Sequence, residues 1–214
     1  MACNVIFVRH GQSEGNLLRV FLGHTDRNLT QLGEMQAKKT AEFLKDRKID
    51  RIYSSDLKRA FNTAKPLADL KGIDIIKTEE LREIFAGYWE NISINDIKEK
   101  YVQSYNTWMS NIGRARLDGG ESVIELQERI KNEVMRIVSE NDNKTIVIFT
   151  HATPIRTFFS YINGKNVDEI KNLTWPTNAS VSEAVFLDNG DIKELYYARD
   201  DFLSDIISHL PKDL

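Results

Sequence analysis

The stretch Asn4-Val5-Ile6-Phe7-Val8-Arg9-His10-Gly11 decides the reading of the fold. Its first five residues form a short, β-branched-rich apolar run that stops at Arg-His-Gly, the pattern of a buried strand delivering polar side chains at its carboxyl end. The same character returns at 49–53, 73–76 and 145–149. Runs 181–187 and 192–197 flank Asn189-Gly190, a hairpin signal. Between the first four runs lie helical patterns. Thr30 is placed to cap a helix reaching about residue 46, with Leu32, Met35, Phe43 and Leu44 on one face. Asp56 is placed to cap another through Ala60, Ala64 and Leu67. Ser122 with Glu125 fits a capping box that opens a long helix through Leu126, Ile130, Val134 and Ile137.

Strands alternating with helices predict an α/β fold: three αβα layers around a mostly parallel central sheet. No linker, repeat or low-complexity tract divides the 214 residues, so a single domain over 1–214 is expected. The stretch from Glu83 to Gly120 is the least regular and rich in aromatic residues, and 84–120 reads as a helical lid insertion over the carboxyl edge of the sheet.

Composition narrows the chemistry. Against 29 basic side chains stand 32 acidic ones, a net charge of −3 that recommends neither nucleic acid nor an anionic membrane as partner. No apolar stretch approaches the roughly 20 residues of a membrane-spanning helix, and the amino terminus lacks the basic and small-residue features of a secretory leader. One cysteine excludes an internal disulfide framework, and a cytoplasmic location is the expectation. Cys3 and Arg9 match a Cys-x5-Arg spacing, but the five intervening residues are a strand and not a phosphate cradle. Neither a P-loop nor a His-x-His or His-Glu-x-x-His metal pattern is present.

The four histidines are the scarce resource. His10 and His151 each end a predicted strand, and active sites of such sheets lie beyond the carboxyl ends of the strands. Ala152, Thr153 and Pro154 follow His151 as a helix start, where backbone N–H groups attract anions. With Arg9, and with Arg59 early in the helix after the second strand, that edge gathers two guanidinium groups and two imidazoles. Such a set suits a phosphate monoester dianion, whose oxygens match planar guanidinium forks. A neutral imidazole is also a nucleophile toward phosphorus. Glu83 supplies a carboxyl to protonate the leaving oxygen and later to activate water, with Glu90 as the competing carboxylate. His24 reads as a loop residue near the pocket and His209 as a solvated residue of the tail. Arg114 and Arg116 read as solvated loop residues, with a substrate carboxylate as the sharper alternative.

Taken in order, Val8-Arg9-His10-Gly11-Gln12-Ser13-Glu14-Gly15-Asn16, Gly23-His24-Thr25-Asp26-Arg27, Ser54-Ser55-Asp56-Leu57-Lys58-Arg59-Ala60, Leu81-Arg82-Glu83, Gly119-Gly120-Glu121-Ser122, Thr150-His151 and Asn178-Ala179-Ser180-Val181 resemble the histidine phosphatase superfamily in its phosphoglycerate mutase-like branch. The resemblance implies that His10 is the phosphorylated nucleophile and that Arg9, Arg59 and His151 clamp the phosphoryl group. It also implies that Asn16 adds a phosphate contact and Glu83 is the proton donor and acceptor, and it implies no metal or organic cofactor. Gly23 and Ala152 are assigned to the same substrate site.

The family divides between phosphatases and mutases. The interval from Glu83 to His151 lacks the longer proline-containing insertion of the glycolytic mutases, since the four prolines are Pro66, Pro154, Pro176 and Pro211. Leu22 replaces the hydroxyl residue that mutases usually place before the glycine matching Gly23. Hydrolysis of a small phosphorylated metabolite is therefore expected, the segments being most similar to broad-specificity and α-ribazole-phosphate phosphatases. A phosphoglycerate mutase, or a catalytically weak phospholigand-binding protein, is the alternative.

Overall fold

The computed structural model describes residues 2–208. His209 lies outside them. In chain order the helices and strands are β1 (Cys3–Arg9), α1 (Glu14–Leu18), β2 (Val20–Phe21), α2 (Gln31–Phe43), β3 (Arg51–Ser55), α3 (Lys58–Lys71), β4 (Ile75–Thr78), β5 (Ile92–Ser93), α4 (Ile94–Lys100), α5 (Val102–Ser110), α6 (Val123–Ser139), β6 (Thr145–Thr150), α7 (Ala152–Ile162), β7 (Val181–Phe186) and β8 (Ile192–Arg199), with short 3-10 turns between them.

Six strands form the central sheet in the order β4-β3-β6-β1-β7-β8. β4, β3, β6 and β1 are mutually parallel, and only β7 runs against the rest. This is the mostly parallel α/β sheet that the alternating pattern predicts. Both faces are covered, which is why the inner strands read as continuous apolar runs. Along β1, Ile6 and Val8 pack with Ala41, Leu44, Ala64 and Leu67 on the α2/α3 side. Val5 and Phe7 pack with Leu126, Ile130 and Phe158 on the α6/α7 side. The period-two alternation of side chains thus feeds two separate cores from one strand.

Helix starts follow local chemistry. Thr30 Oγ1 accepts from the Gly33 N–H at 3.1 Å, and Ser122 with Glu125 closes the expected capping box. Asp56 does not cap α3. Its carboxylate pairs with Arg82, and the Lys58 N–H at the start of the helix instead donates to Asp26 Oδ1 at 2.8 Å from a distant loop. The buried face of α2 also departs from expectation. It is made of Gly33, Gln36, Ala37, Thr40 and Ala41, while Met35 is 48% exposed. Gln36 and Thr40 tolerate burial because each finds a backbone partner, the Ile206 carbonyl for Gln36 Nε2 and the Ala179 carbonyl for Thr40 Oγ1.

The segment 84–120 is not wholly helical. β5 pairs antiparallel with β2, Val20 opposite Ser93 and Phe21 opposite Ile92, before the chain enters α4 and α5. The loop after His10 is fixed to the start of α2 by close backbone packing: a Cβ on Gly33 would lie 2.1 Å from the Gln12 carbonyl oxygen, and one on Gly11 would lie 2.6 Å from that of Gly33. Glycine is required where backbones approach that closely.

Candidate active site

β1 and β6 are parallel neighbours whose register sets Arg9 opposite Thr150. The next residue of each strand, His10 and His151, therefore leaves the sheet at the same height, and the two rings lie 5.1 Å apart centre to centre. β3 flanks β6 on the other side and ends at Ser55, whose Oγ is 2.9 Å from His151 Nε2. At the second residue of α3, Arg59 turns back toward the same edge, where its Nε–H donates to His151 Nδ1 at 3.2 Å.

Partners fix the tautomers. Arginine has no acceptor, so His151 Nδ1 carries a lone pair and Nε2 the proton, donated to Ser55 Oγ. His10 Nδ1 lies 2.7 Å from the Gly11 carbonyl oxygen, which only accepts. The proton sits on Nδ1 and the unshared pair on Nε2. Both imidazoles titrate well below the ordinary 6.5: burial is the main cause, followed by Arg59 and Arg9 for His10, and by Arg59 and His10 for His151. Each is therefore neutral at physiological pH.

The sign of the stability effect follows. An unfolded chain takes up protons below about pH 6.5 that the folded chain refuses, so the contribution of these histidines is complete above that pH and lost as pH falls toward the folded values. Urea midpoints are expected to drop between pH 7.5 and 5.5, by up to about 1.4 kcal/mol per histidine per pH unit. His10→Ala is expected to flatten the slope, and an unchanged slope would contradict this origin.

Arg9 and Arg59 are each 1% exposed. Arg9 Nη1 donates to the Pro176 carbonyl at 2.6 Å, and its Nε is a buried donor with no partner among the described residues. Arg59 Nη2 and Nη1 donate to the carbonyls of Gly23 at 2.7 Å and Thr25 at 2.9 Å. Burial pulls both guanidinium groups down to about 10, with Glu83 as the leading opposing influence. They remain cationic near pH 7. A cavity of about 480 Å³ opens between them, bordered by His10, Asn16, Gly23, Glu83 and Ala152 as well.

Glu83 is oriented by two backbone donors, Ile84 N–H to Oε1 at 2.8 Å and Thr153 N–H to Oε2 at 3.3 Å. Its carbonyl accepts from His24 Nε2 at 2.9 Å and Arg129 Nη2 at 3.1 Å, so His24 braces the Glu83 loop. Glu90 is occupied elsewhere: its carboxylate accepts from the N–H groups of His24, Thr25 and Ala86 and from Thr25 Oγ1 at 2.5–3.0 Å. Asn16 Oδ1 accepts from Ser13 N–H, Ser13 Oγ and Asn178 Nδ2, and Asn178 Nδ2 also reaches the His10 carbonyl at 3.1 Å. The structure thus brings His10, Arg9, Arg59, Glu83, Asn16, Gly23 and Ala152 to one cavity, with His151 fully buried beside it and bonded to Arg59. Arg114 and Arg116 stay outside it on the surface, paired with Asp168 and Glu125.

Sequence reasoning overlooked Trp175 as a cavity residue and gave no specific role to Ser55, Thr63 and Asn178, which brace His151, Gly11 and the His10 carbonyl. Thr63 Oγ1 accepts from the Gly11 N–H at 3.0 Å and donates to the Arg59 carbonyl, tying one element to the other. Ser55 and Thr63 carried a usable signal, one at the carboxyl end of a predicted strand, the other one helical turn beyond Arg59.

An α/β sheet whose carboxyl edge joins two neutral imidazoles, two buried guanidinium groups and one oriented carboxylate defines a site for phosphoryl chemistry. Residues 5–198 match the histidine phosphatase superfamily (branch 1), and the chain belongs to that superfamily. It is 31% identical over 165 residues to phosphoserine phosphatase 1 of Hydrogenobacter thermophilus, covering 77% of this chain and 78% of the relative. It is 33% identical over 175 residues to phosphoglycerate mutase-like protein 4 of Arabidopsis thaliana, covering 78% and 75%. The structure of a mycobacterial glucosyl-3-phosphoglycerate phosphatase superposes with a TM-score of 0.84 at 25% identity, over 94% of this chain and all of that one. Among the described residues no helix is long and apolar enough to cross a membrane.

Proposed function

We propose that the protein hydrolyses small phosphate monoesters by a two-step phosphohistidine route without a metal. The observation that carries this reading is the charge balance of the cavity: two buried guanidinium groups face a nucleophilic imidazole with Glu83 as the single carboxylate on the lining among the described residues. With Glu83 carrying the proton it later gives to the leaving oxygen, a dianionic phosphoryl group balances the two guanidinium charges. A dication beside Arg9 and Arg59 would worsen it.

In the first step the lone pair of His10 Nε2 attacks phosphorus as the bond to the leaving oxygen breaks, and Glu83 gives that oxygen its proton. Arg9 and Arg59 stabilise charge on the equatorial oxygens, and His151 joins them by redirecting its Nε2–H from Ser55 Oγ. Asn16 adds its NH2, since its amide oxygen is already taken by three donors, and the Ala152 backbone faces the same space. In the second step Glu83 takes a proton from water, whose oxygen attacks phosphorus as the P–N bond breaks and inorganic phosphate leaves. Leu22 supports transfer to water over transfer within a phosphoglycerate, because it sets an apolar side chain on the cavity wall beside Gly23. The segment 84–120 is assigned as the lid of a single domain over 1–214, contributing Trp108 to the wall. A small phosphorylated metabolite as partner and a cytoplasmic location go with this reading.

Release of inorganic phosphate from p-nitrophenyl phosphate in the presence of chelator tests the class; failure of turnover there overturns it. Glu83→Gln is expected to slow hydrolysis of an alkyl phosphate by about 10²–10³-fold and that of p-nitrophenyl phosphate much less, because nitrophenolate departs without a proton. Glu90→Gln is expected to cost about 1–3 kcal/mol in urea unfolding through its four hydrogen bonds. The reverse pattern would make Glu90 the acid.

A further inference from the structure

Beyond the phosphate clamp, the cavity is aromatic. Phe21, Leu22, Trp108 and Trp175 border it. Trp108 and Trp175 stack with ring centres 6.1 Å apart and planes 28° apart, and Phe21 meets Trp108 edge-on at 5.5 Å. Trp175 is held from behind by Arg156, whose guanidinium carbon sits 4.2 Å from the ring centre while its N–H groups donate to the carbonyls of Leu173 and Lys171.

The wall abuts the clamp on both sides. The residue after Trp175 is Pro176, whose carbonyl holds Arg9; the residue after Leu22 is Gly23, whose carbonyl holds Arg59. A phosphoryl group between the two guanidinium groups therefore places its ester oxygen against indole and leucine surface.

Cations are lacking on that side. Among the described residues the only arginines or lysines bordering the cavity are Arg9 and Arg59. Arg82, Arg114, Arg116 and Arg129 are committed to Asp56, Asp168, Glu125 and Glu121, and Arg156 to Trp175 and two backbone carbonyls. A carboxylate on the alcohol half of a substrate would lose water there without gaining a partner.

Resting on the phosphatase reading above, we propose that Trp108, Trp175 and Leu22 form a leaving-group subsite selecting an uncharged, apolar alcohol of about single-ring size over phosphorylated acids. Phe21, Leu22, Trp108 and Trp175 close on the clamp from one side and limit that size. Apolar contact between the substrate ring and the bordering indole and leucine surfaces supplies the selectivity.

The test compares alkyl phosphates so that leaving-group reactivity does not decide the result. For the full chain, kcat/KM for benzyl phosphate is expected to exceed that for glycerol 2-phosphate by about tenfold and that for 3-phosphoglycerate by about 100-fold or more. Trp175→Ala, at a half-buried position, is expected to erase most of the benzyl-over-glycerol preference. Leu22→Lys is expected to narrow the gap to 3-phosphoglycerate. Turnover of glycerol 2-phosphate with 3-phosphoglycerate as good as benzyl phosphate would overturn the subsite and leave the phosphatase reading standing. Quenching of tryptophan fluorescence by benzylphosphonate, against methylphosphonate, reads the subsite without turnover. Tighter, Trp175-dependent binding of the benzyl compound supports the subsite even if no ester is hydrolysed, in which case only the phosphatase reading falls. Equal binding of the two overturns the subsite.

Discussion

His10→Ala is expected to lower hydrolysis of p-nitrophenyl phosphate by about 10⁴-fold or more, with the phosphorylated enzyme intermediate abolished. The size follows from what the imidazole alone supplies. Nε2 holds the unshared pair because the Gly11 carbonyl fixes the proton on Nδ1, and burial beside two guanidinium groups keeps the ring neutral. Within the cavity the other imidazole nitrogens are engaged, His151 Nδ1 by Arg59 and Nε2 by Ser55. No second nucleophile stands ready to replace the first, so the variant is left with electrostatic stabilisation and positioning. Rapid acid-free trapping after mixing with labelled substrate should show acid-labile, base-stable phosphate on the native chain and none on the variant. Substantial turnover by the variant would mean direct attack of water and would remove the covalent step.

The strands of the central sheet and the helices between them were legible because apolar runs and capping signals are local. Strand register is not local. Nothing in the two runs states that Arg9 faces Thr150, although that pairing sets the two histidines side by side. The choice of Glu83 over Glu90 came from motif order, and its physical reason is tertiary: four donors from two loops consume the Glu90 carboxylate. Asp56 looked like a helix cap from sequence, yet Arg82 outcompetes the helix for it and Asp26 takes the capping role from a remote loop. Trp175 was missed for a similar reason. It lies in an irregular stretch with no periodicity, and its ring is held in the wall by groups distant in the chain, Arg156 from α7 and Trp108 from α5. On α2, Leu44 is buried as read from hydrophobicity, but Met35 is exposed and Gln36 and Thr40 are buried, since their partners, near residues 179 and 206, are far away in the chain.

Arg59→Met is expected to reduce kcat/KM by about 10³-fold or more, with Arg59→Lys recovering only part of the loss. Arg59 acts in three ways at once. It places a positive charge against the phosphoryl group, orients His151 through Nδ1, and holds the loop at Gly23 and Thr25 through their carbonyls. Lysine restores the charge but lacks the planar fork that spans these three acceptors, so it should recover phosphate affinity more than kcat. A separate readout distinguishes the electrostatic role from simple loss of packing. The Arg59 charge is the second cause, after burial, of the depressed His151 titration, so removing it should move the His151 ring toward 6.5 without reaching it, while lysine should leave it nearly where it is. Proton titration of the two cavity histidines by NMR measures this directly. A methionine variant that retained activity within about tenfold, with His151 unmoved, would show that Arg59 neither clamps the phosphoryl group nor sets the protonation of its partner.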